Sequence, residues 1–508
     1  DSIGMIVLSG QVKLETTVSA SEVPLRQLGD QELDIVPVIR SITKFSKMIT
    51  RVSDVLYDLE KAIYLAKSGR PGPCWLDIPL DIQGAMIDLK KIKRFNPPII
   101  KENKKLLNKQ VTEVISLIKK SKRPVIYCGS GIRLSERHLH FLKLVNLLNI
   151  PVVSSFNSQD VIWENHRLYI GKAGTVGDRA GNFAVLHSDL LLVLGSRLNI
   201  RQVSYNYQMF AREAKIVWVD VDKTELDKHT VKPHLKIHKD LAIFLPSMIQ
   251  KIKHKINLHV DWVAWCKQRK IRYPVVKDEF YNKKKPINPY CLVDILSNHM
   301  KENDIVVTAN GTAVVITHQA FKIKKGQRVW SNSGSATMGY DLPAAIGACY
   351  SSNKKEVLCI TGDGSIMMNL QELETIKSNK LPIKIIIINN KGYVSMFQTQ
   401  KNFFNGKEFG SGPKSGVTFP SFRKIAASFN FTYQSCRKIG NLENEIKKFL
   451  KKSTGILEVF VDHNQRFEPK LGAKQHPDGR ITSPPLEDLS PFLSKEELQE
   501  NMIIPIHE

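Results

Sequence analysis

The chain has 508 residues, of which 42% are hydrophobic and 24% charged, as in an ordinary globular protein. Its 74 basic residues exceed its 49 acidic ones and give a formal net charge of +25. They are spread along the chain without zinc-finger spacing or interleaved aromatics, which indicates a solvated surface rather than a nucleic-acid site. No apolar run reaches the ~18 residues that a membrane span needs. Seven separated cysteines, without a Cys-x-x-Cys pair, indicate reduced thiols and a cytoplasmic protein.

The first predicted domain, residues 1–95, contains two apolar strands and one helix. The strands are predicted at 5–8 and 74–78, and the helix at 52–68. The proline pair Pro97-Pro98, followed by a lysine-rich stretch, indicates a linker.

Two further predicted domains, residues 105–255 and 286–465, alternate apolar strands with helices. Continuous apolar strands separated by helices indicate parallel sheets that are covered on both faces. The strands are predicted at 124–127, 151–154, 189–194 and 215–221 in the first, and at 305–308, 356–361, 383–388 and 456–461 in the second. Residues 466–508 are either a strap or lid, or an extended surface tail. The fold class is therefore α/β, with three successive parallel-sheet units.

The strand predicted at 356–361 leads directly into Gly362-Asp363-Gly364-Ser365. Ligands of open α/β sheets bind beyond the carboxyl ends of the strands. The two glycines allow a sharp turn and a close approach to a phosphate, and N–H groups at a helix start attract the anion. Asp363 adds a carboxylate oxygen that suits Mg²⁺.

The next strand, predicted at 383–388, ends in Asn389-Asn390-Lys391-Gly392. If the two strands are neighbours, Asn390 can supply an amide oxygen beside Asp363, and Gly392 a backbone carbonyl. Three protein oxygens, diphosphate oxygens and water would complete a Mg²⁺ shell. A pair of ordinary strand-to-helix turns is the alternative, but the combined pattern favours a metal–diphosphate site. It is neither a Walker A loop nor a dinucleotide-binding fingerprint.

The stretch from Gly362 to Asn390 matches the thiamine diphosphate signature, and further segments resemble acetolactate synthase and its relatives in the family's order. These segments are Gly10-Gln11-Val12, Arg40-Ser41-Ile42-Thr43-Lys44, Arg70-Pro71-Gly72-Pro73 with Leu76-Asp77-Ile78-Pro79, and Thr337-Met338-Gly339-Tyr340 with Leu342-Pro343-Ala344-Ala345-Ile346-Gly347. The resemblance covers nearly the whole chain. It implies a pyrimidine-binding, a central Rossmann-like and a diphosphate-binding domain.

The resemblance also implies a role for each residue that matches the family's cofactor site. Asp363, Asn390 and the Gly392 carbonyl would bind Mg²⁺. Met338 would wedge beneath thiamine diphosphate and hold its bent shape, whereas the alternative is a flexible core residue. The residues that line the cofactor would be Gly311, Thr312, Gly362, Gly364 and Ser365. The residues in the first domain that would contact substrate or cofactor are Gln11, Gln31 and Lys44.

The segment 105–255 resembles the family's flavin-binding domain and so implies FAD. Asp220 ends a predicted strand, where it could accept hydrogen bonds from ribose hydroxyls. The positions expected to contact FAD are Gly129, Gly131, Gly174, Arg197, Arg201, Asp220 and Asp240. The alternative is a domain that has lost its nucleotide. Bound FAD should be structural or a relic, because the carboligation is not a net redox reaction.

One departure from the family concerns the glutamate that activates the cofactor by acid–base catalysis. Glu15, Glu22 and Glu32 lie in later segments than the one that carries this residue in the family. We therefore expect the segment with the activating glutamate to be missing from the chain, whose first domain would be truncated. A fragment of a longer protein and a degraded homologue are the two explanations.

A second departure concerns the acceptor. Where acetolactate synthases have a tryptophan, alignment without gaps places Thr399, and Asp30 replaces a phenylalanine next to Gln31-Glu32. A more polar acceptor pocket makes a sugar or another hydroxylated acceptor plausible.

These features predict a Mg²⁺- and thiamine diphosphate-dependent enzyme that takes a two-carbon unit from a 2-oxo acid, pyruvate, and passes it to a carbonyl acceptor. Alternatives are a simple 2-oxo acid decarboxylase, a carboligase that builds branched-chain sugars, and a non-catalytic cofactor-binding partner subunit. The resemblance implies a homodimer or homotetramer, because in this family the pyrimidine domain of one chain meets the diphosphate domain of another.

Overall fold

The computed structural model describes residues 1–99, 102–475 and 478–506. The chain forms two compact units, Asp1–Leu106 and Leu107–Glu508. Within the described residues, no helix is long and apolar enough to cross a membrane. The structure contains three parallel sheets and one short antiparallel pair, which confirms the predicted α/β class. The finer domain boundaries predicted from the sequence stay predictions.

The first unit contains a three-stranded parallel sheet in the order β1-β3-β2. Its strands are β1 (Met5–Gln11), β2 (Phe45–Met48) and β3 (Pro73–Pro79), and its helices are α1 (Ile35–Ile39), α2 (Val55–Lys67) and α3 (Leu80–Gln83). The two predicted strands and the predicted helix are confirmed. Strand β2 was not predicted, because Phe45-Ser46-Lys47-Met48 is a half-buried edge strand without a continuous apolar run.

The second unit begins with a six-stranded parallel sheet, the central sheet, in the order β6-β5-β4-β7-β8-β9. Its strands are β4 (Pro124–Cys128), β5 (Val152–Ser154), β6 (Tyr169–Lys172), β7 (Leu190–Leu194), β8 (Lys215–Asp220) and β9 (Leu235–His238). The helices of this region are α4 (Lys104–Lys120), α5 (Gly131–Leu134), α6 (His138–Leu148), α7 (Arg179–Leu186), α8 (Ile200–Val203), α9 (Lys223–Asp227), α10 (Leu241–Lys251) and α11 (Val260–Arg272). The four predicted strands are its interior strands, and the sequence analysis missed the short edge strands β6 and β9.

The same unit contains a second six-stranded parallel sheet, the C-terminal sheet, in the order β11-β10-β12-β13-β15-β14. Its strands are β10 (Ile305–Thr308), β11 (Arg328–Trp330), β12 (Val357–Gly362), β13 (Ile383–Asn389), β14 (Tyr433–Cys436) and β15 (Gly455–Phe460). Its helices are α12 (Pro289–His299), α13 (Thr312–Ala320), α14 (Asp341–Ser351), α15 (Asp363–Ile366), α16 (Glu372–Ser378), α17 (Val394–Phe403), α18 (Phe422–Ser428) and α19 (Ile439–Leu450). The isoleucine-rich β13 is buried along residues 383–388, as a central parallel strand requires.

The end of the chain packs onto the central sheet as a strap. Leu486 and Leu489 are buried in the apolar cluster of that sheet, and the Arg179 guanidinium of α7 donates to the Leu489 carbonyl at 2.9 Å. This segment contains the antiparallel pair β16 (Lys474–Gln475) and β17 (Ile481–Thr482) and the helix α20 (Lys495–Asn501). Of the two interpretations of the tail, the structure therefore favours the strap.

Candidate cofactor site

The two turns of the predicted metal site lie side by side in the C-terminal sheet. Strands β12 and β13 pair in parallel, with Gly362 opposite Ile388. Asp363 therefore begins its helix, α15, next to the point where β13 ends and Asn390 follows. This is the neighbourhood expected from the sequence if the two strands pair.

The Asp363 carboxylate is 2% exposed and lies among backbone N–H groups. Its Oδ1 accepts a hydrogen bond from the Gly364 N–H at 2.8 Å, and its Oδ2 accepts one from the Asn390 N–H at 3.1 Å. Burial raises the pKa of Asp363 to about 7, although these N–H groups oppose the shift. No lysine or arginine forms an ion pair with it among the described residues. The site thus holds a buried acid that lacks a cation.

Asn390 supplies the second candidate metal ligand. Its Nδ2 donates to the Thr312 hydroxyl at 3.1 Å, whereas its buried Oδ1 has no hydrogen-bond partner in the described parts of the chain. A buried acceptor without a donor is costly, and a bound Mg²⁺ would satisfy it. Asp363 and Asn390 therefore fit a Mg²⁺ ion that is also bound by phosphate oxygens. The described residues contain no cluster of three or more His, Cys, Asp or Glu side chains that could hold a metal without such a ligand.

The glycines of the site serve two different purposes. A Cβ on Gly362 would meet no atom within 4 Å, and the same is true of Gly311, which precedes helix α13 with a φ of +69°. These two turns leave space for a ligand beside the strand ends. In contrast, a Cβ on Gly392 would lie 2.2 Å from the Ser411 carbonyl oxygen, and one on Gly364 would lie 2.4 Å from the Tyr393 ring. Those two glycines allow close packing within the protein.

Met338 reaches the turn at Gly364, and its role beneath the cofactor stays a prediction. Its Cε lies 3.3 Å from the position that a Cβ on Gly364 would occupy. The following residue, Gly339, has a φ of +81°, and its N–H donates to the Ser365 hydroxyl at 2.9 Å. The Ser365 side chain, which was predicted to line the cofactor, is therefore engaged in holding the Met338 turn.

Asn310 is a site residue that the sequence analysis missed. Its Nδ2 donates to Asn332 Oδ1 at 2.5 Å and to the Thr337 carbonyl at 2.7 Å, so it ties the turn before α13 to the segment that carries Met338. Its Oδ1 is buried and has no partner among the described residues. Its position directly before Gly311 was the only signal in the sequence.

The glycines predicted for FAD in the central sheet face the protein rather than an open groove. A Cβ on Gly129 would lie 2.1 Å from the Gly195 carbonyl oxygen, and one on Gly131 would lie 2.8 Å from the Gly195 Cα. The Gly129 and Gly131 N–H groups donate to the carbonyls of Leu194 and Gly195 at 2.9 and 3.0 Å. The turns after β4 and β7 thus close on each other.

The acidic residues predicted for FAD also have partners within the protein. Asp240 caps helix α10 by accepting from the Ala242 N–H at 2.7 Å, and Asp220 accepts from the Asp222 N–H at 2.9 Å.

The remaining positions predicted for FAD make contacts around the same edge of the central sheet. Arg197 donates to Glu225 at 2.6 Å. The Arg201 guanidinium lies 4.8 Å from the centre of the Phe156 ring. The Arg201 carbonyl oxygen would lie 2.6 Å from a Cβ on Gly174, so the predicted positions Arg201 and Gly174 are close neighbours.

The three candidate contacts in the first unit have unequal surroundings. Lys44 Nζ donates to the carbonyls of Leu65, Ser68 and Arg70 and so caps the end of helix α2. Gln11 is engaged as well, because its Nε2 donates to the Leu33 carbonyl at 2.8 Å and to Asp77 at 3.0 Å. Gln11 and Lys44 thus have structural partners, and their contact with substrate or cofactor stays a prediction.

Gln31, the third candidate, is exposed and has a φ of +62°. Next to it, the buried Glu32 accepts from the N–H groups of Val18, Leu28 and Gly29, which hold the loop together and lower the pKa of that acid against the effect of burial.

Comparison with known proteins agrees with this site. Residues 111–248 match the central domain of thiamine pyrophosphate (thiamine diphosphate) enzymes, and residues 309–459 match their C-terminal TPP-binding domain. Acetolactate synthase 2 of Nicotiana tabacum is 31% identical over 486 residues, which cover 93% of this chain and 70% of that protein. The acetolactate synthase large subunits of Escherichia coli (isozyme 1) and Lactococcus lactis are each 28% identical, over 93% and 95% of this chain and 80% and 81% of their own lengths. The chain is therefore a thiamine diphosphate-dependent enzyme and belongs to the acetolactate synthase family.

Proposed function

We propose that the protein is a Mg²⁺- and thiamine diphosphate-dependent 2-oxo acid decarboxylase and carboligase, which takes a two-carbon unit from pyruvate and transfers it to a carbonyl acceptor. The observation that carries this proposal is the pairing of Asp363 with Asn390 at adjacent strand ends. Both side chains are buried. Among the described residues, no lysine or arginine pairs with Asp363, and no donor reaches Asn390 Oδ1. The names of the relatives support pyruvate as the donor.

The residues of the C-terminal sheet have distinct tasks in this proposal. Asp363 and Asn390 would hold Mg²⁺, with the Gly392 carbonyl as a third ligand. The diphosphate would occupy the space that Gly311 and Gly362 leave, where the start of α13 offers N–H groups to an anion. When bound, thiamine diphosphate would supply a nucleophilic carbon for addition to the 2-oxo acid carbonyl, and its cationic thiazolium ring would be the sink for the electron pair left when carbon dioxide departs.

The acceptor is proposed to carry hydroxyl groups, which would make the protein a carboligase of sugars or similar carbonyl compounds. The observation that favours this second candidate is Thr399, an exposed residue on α17, the helix that follows Gly392. Its hydroxyl donates to the Ser395 carbonyl at 3.1 Å and keeps its lone pairs for another donor. A tryptophan at this position would instead offer a large apolar surface.

FAD and a homodimer or homotetramer stay predictions, as does a cytoplasmic location. The match of residues 111–248 to the family's central domain supports FAD, whereas the closed turns at Gly129 and Gly195 support an empty domain. The visible absorbance of the purified protein, compared before and after denaturation, distinguishes bound flavin from an empty domain. Light scattering during size-exclusion chromatography gives the number of chains.

The experiment that tests the proposal is a calorimetric titration of the protein with thiamine diphosphate in the presence of Mg²⁺ and, as a control, of EDTA. It is followed by measurement of carbon dioxide released from pyruvate. Mg²⁺-dependent binding with release is the expected result, and Asn390→Ala should lack both. The products formed from pyruvate alone then identify the reaction. Acetolactate indicates a synthase, acetaldehyde indicates a simple decarboxylase, and no product until a keto-sugar is added indicates a sugar carboligase. Absence of binding in the wild type would refute the proposal.

A further inference from the structure

Asp341 is a buried acid for which the functions assigned so far give no role. It is the first residue of helix α14 and has 0% exposure. Its Oδ2 accepts a hydrogen bond from the Thr361 hydroxyl, at the end of β12. Its Oδ1 is buried as well, and no lysine or arginine among the described residues forms an ion pair with the carboxylate. Such a carboxylate is expensive to bury, so a purely structural role explains it poorly.

The neighbours of Asp341 connect it to both turns of the cofactor site. Burial raises the pKa of its carboxyl, whereas the Thr361 hydroxyl, the N–H groups of Asp341 and Leu342 and the Ser365 hydroxyl lower it. The Ser365 oxygen accepts from the Gly339 N–H at 2.9 Å, so the Ser365 proton is left to be donated elsewhere. Asp341 is the acceptor beside it. A chain of polar groups therefore runs from Gly339 through Ser365 to Asp341 and on to Thr361.

Hydrogen bonds hold the backbone on both sides of Met338. Met338 directly precedes Gly339, whose carbonyl accepts from Asn369 Nδ2 at 2.7 Å. On the other side, Asn310 holds the Thr337 carbonyl at 2.7 Å. If the Ser365 hydroxyl turned away, the Gly339 N–H would lose its acceptor, and the Met338 side chain would no longer be held against the Gly364 turn.

We propose that Asp341 is a positioning residue for thiamine diphosphate, which orients the Thr361 and Ser365 hydroxyls and thereby holds Met338 beneath the ring portion of the cofactor. The inference rests on the proposed function. It also separates the two halves of the cofactor: Asp363 and Asn390 act on the diphosphate through the metal, whereas Asp341 acts on the rings through Met338. Loss of Asp341 should therefore weaken binding of the whole cofactor more than binding of inorganic diphosphate.

The test compares thiamine diphosphate with inorganic diphosphate as ligands of the full chain in Mg²⁺. Asp341→Ala is expected to weaken thiamine diphosphate binding by about tenfold or more, which is the usual effect of removing a residue that orients a directly binding side chain. Diphosphate binding should change by no more than about twofold, as for an uncoupled site. Asp341→Asn should lie between Ala and the wild type, because one carbonyl oxygen can still accept from Thr361.

Asp294→Ala is the matched control. Asp294 is also a buried helical acid of the second unit, and it contacts Tyr281 and Lys322 instead of the cofactor turns. Its loss should lower the melting temperature and leave the ratio of the two affinities unchanged. An unchanged ratio in Asp341→Ala, or in Asp341→Asn if the alanine variant does not fold, would overturn the inference. Failure of the wild type to bind thiamine diphosphate would instead overturn the proposed function.

Discussion

The central and C-terminal sheets share an architecture but treat their carboxyl edges differently. Both are six-stranded and parallel, and both carry glycine turns and acids at the strand ends. In the central sheet, Gly129 approaches Gly195, and Asp240 caps a helix. In the C-terminal sheet, Asn390 Oδ1 lacks a partner, and a Cβ on Gly362 would enter free space. The predicted glycine turns of the first edge close on each other, whereas Gly311 and Gly362 at the second edge leave free space.

This difference shows why similar sequence signals have different meanings. A glycine after an apolar strand permits close approach, but what approaches is determined by the loop of a neighbouring strand. Gly129 is explained by the backbone at Gly195, which is remote in sequence. Free space at a turn glycine distinguishes the two edges better than a polar atom without a partner, because Asn199 Oδ1 beside the central sheet is also buried without one among the described residues.

The largest expected effect comes from removing the metal ligands. Asp363→Asn and Asn390→Ala should each weaken Mg²⁺-dependent thiamine diphosphate binding by at least about 100-fold. This loss of affinity exceeds the usual loss when a residue that only orients a metal ligand is removed. The matched change in the central sheet, Asp240→Asn, removes only part of a helix cap and should leave this binding intact. Calorimetric titration measures all three. Equal losses in the two sheets would contradict the distinction between them.

Alanine substitutions at Gly129 and Gly362 should distinguish a loss of stability from a loss of cofactor binding. Gly129→Ala places a Cβ 2.1 Å from the Gly195 oxygen and should lower the free energy of unfolding by about 1–3 kcal/mol, the usual cost of overpacking. Gly362→Ala meets no atom within 4 Å at a φ of −99°. It should change the free energy of unfolding by less than about 0.5 kcal/mol, as for an uncrowded surface position.

The Cβ of Gly362→Ala would nevertheless occupy the proposed diphosphate space and weaken cofactor binding. Urea unfolding and titration of both variants provide the comparison. A destabilised Gly362→Ala variant that binds normally would reverse the expected pattern.

The pH dependence of the metal-free protein should reflect Asp363. Its pKa is raised from 3.8 to about 7, so the folded state binds this proton more tightly than the unfolded state does. The Asp363 contribution to stability therefore falls as pH rises from about 4 to about 7, and it changes little above that. Mg²⁺ requires the carboxylate, so its stabilising effect should grow over the same range.

Thermal unfolding of the wild type and Asp363→Asn, each with EDTA and with Mg²⁺ plus cofactor, measures this contribution. The variant should lose less stability than the wild type as the pH rises. Parallel curves for the two proteins would show that Asp363 is ionised normally in the fold.

The smallest effect is expected at Thr399. Because this side chain is exposed and makes one local hydrogen bond, Thr399→Trp should change the free energy of unfolding by less than about 0.5 kcal/mol. In the acetolactate synthase family a tryptophan stands at the aligned position. The variant should shift product formation from hydroxylated acceptors toward 2-oxo acids, as measured by competition between a keto-sugar and 2-oxobutyrate. No shift would remove Thr399 from acceptor selection.

The sequence was sufficient for the interior strands and for the position of the metal turns. The apolar runs that form β12 and β13 are long, buried and followed by polar turns. The run and the turn residues that end it therefore indicate the same strand. The edge strands β2, β6, β9, β11 and β14 were missed, because short or half-polar segments become strands only through pairing with a neighbour.

The candidate site was predictable only in part. Asp363 and Asn390 stand out, since their types and positions follow two apolar strands. The role of Lys44 as a helix cap depends on carbonyls more than twenty residues away, and that of Gly129 on a turn in another strand. Asn310 and Asp341 were missed for the same reason. Their partners, at 332, 337 and 361, become neighbours only when the sheet forms.

The most direct measurement is a crystal structure of the protein grown with Mn²⁺ in place of Mg²⁺ and with thiamine diphosphate. An anomalous difference map locates the metal without reference to any assigned role. The account predicts one strong peak between the Asp363 carboxylate and Asn390 Oδ1, with the diphosphate beside Gly362. A peak at the central sheet, or diphosphate bound without metal between these two side chains, would contradict it.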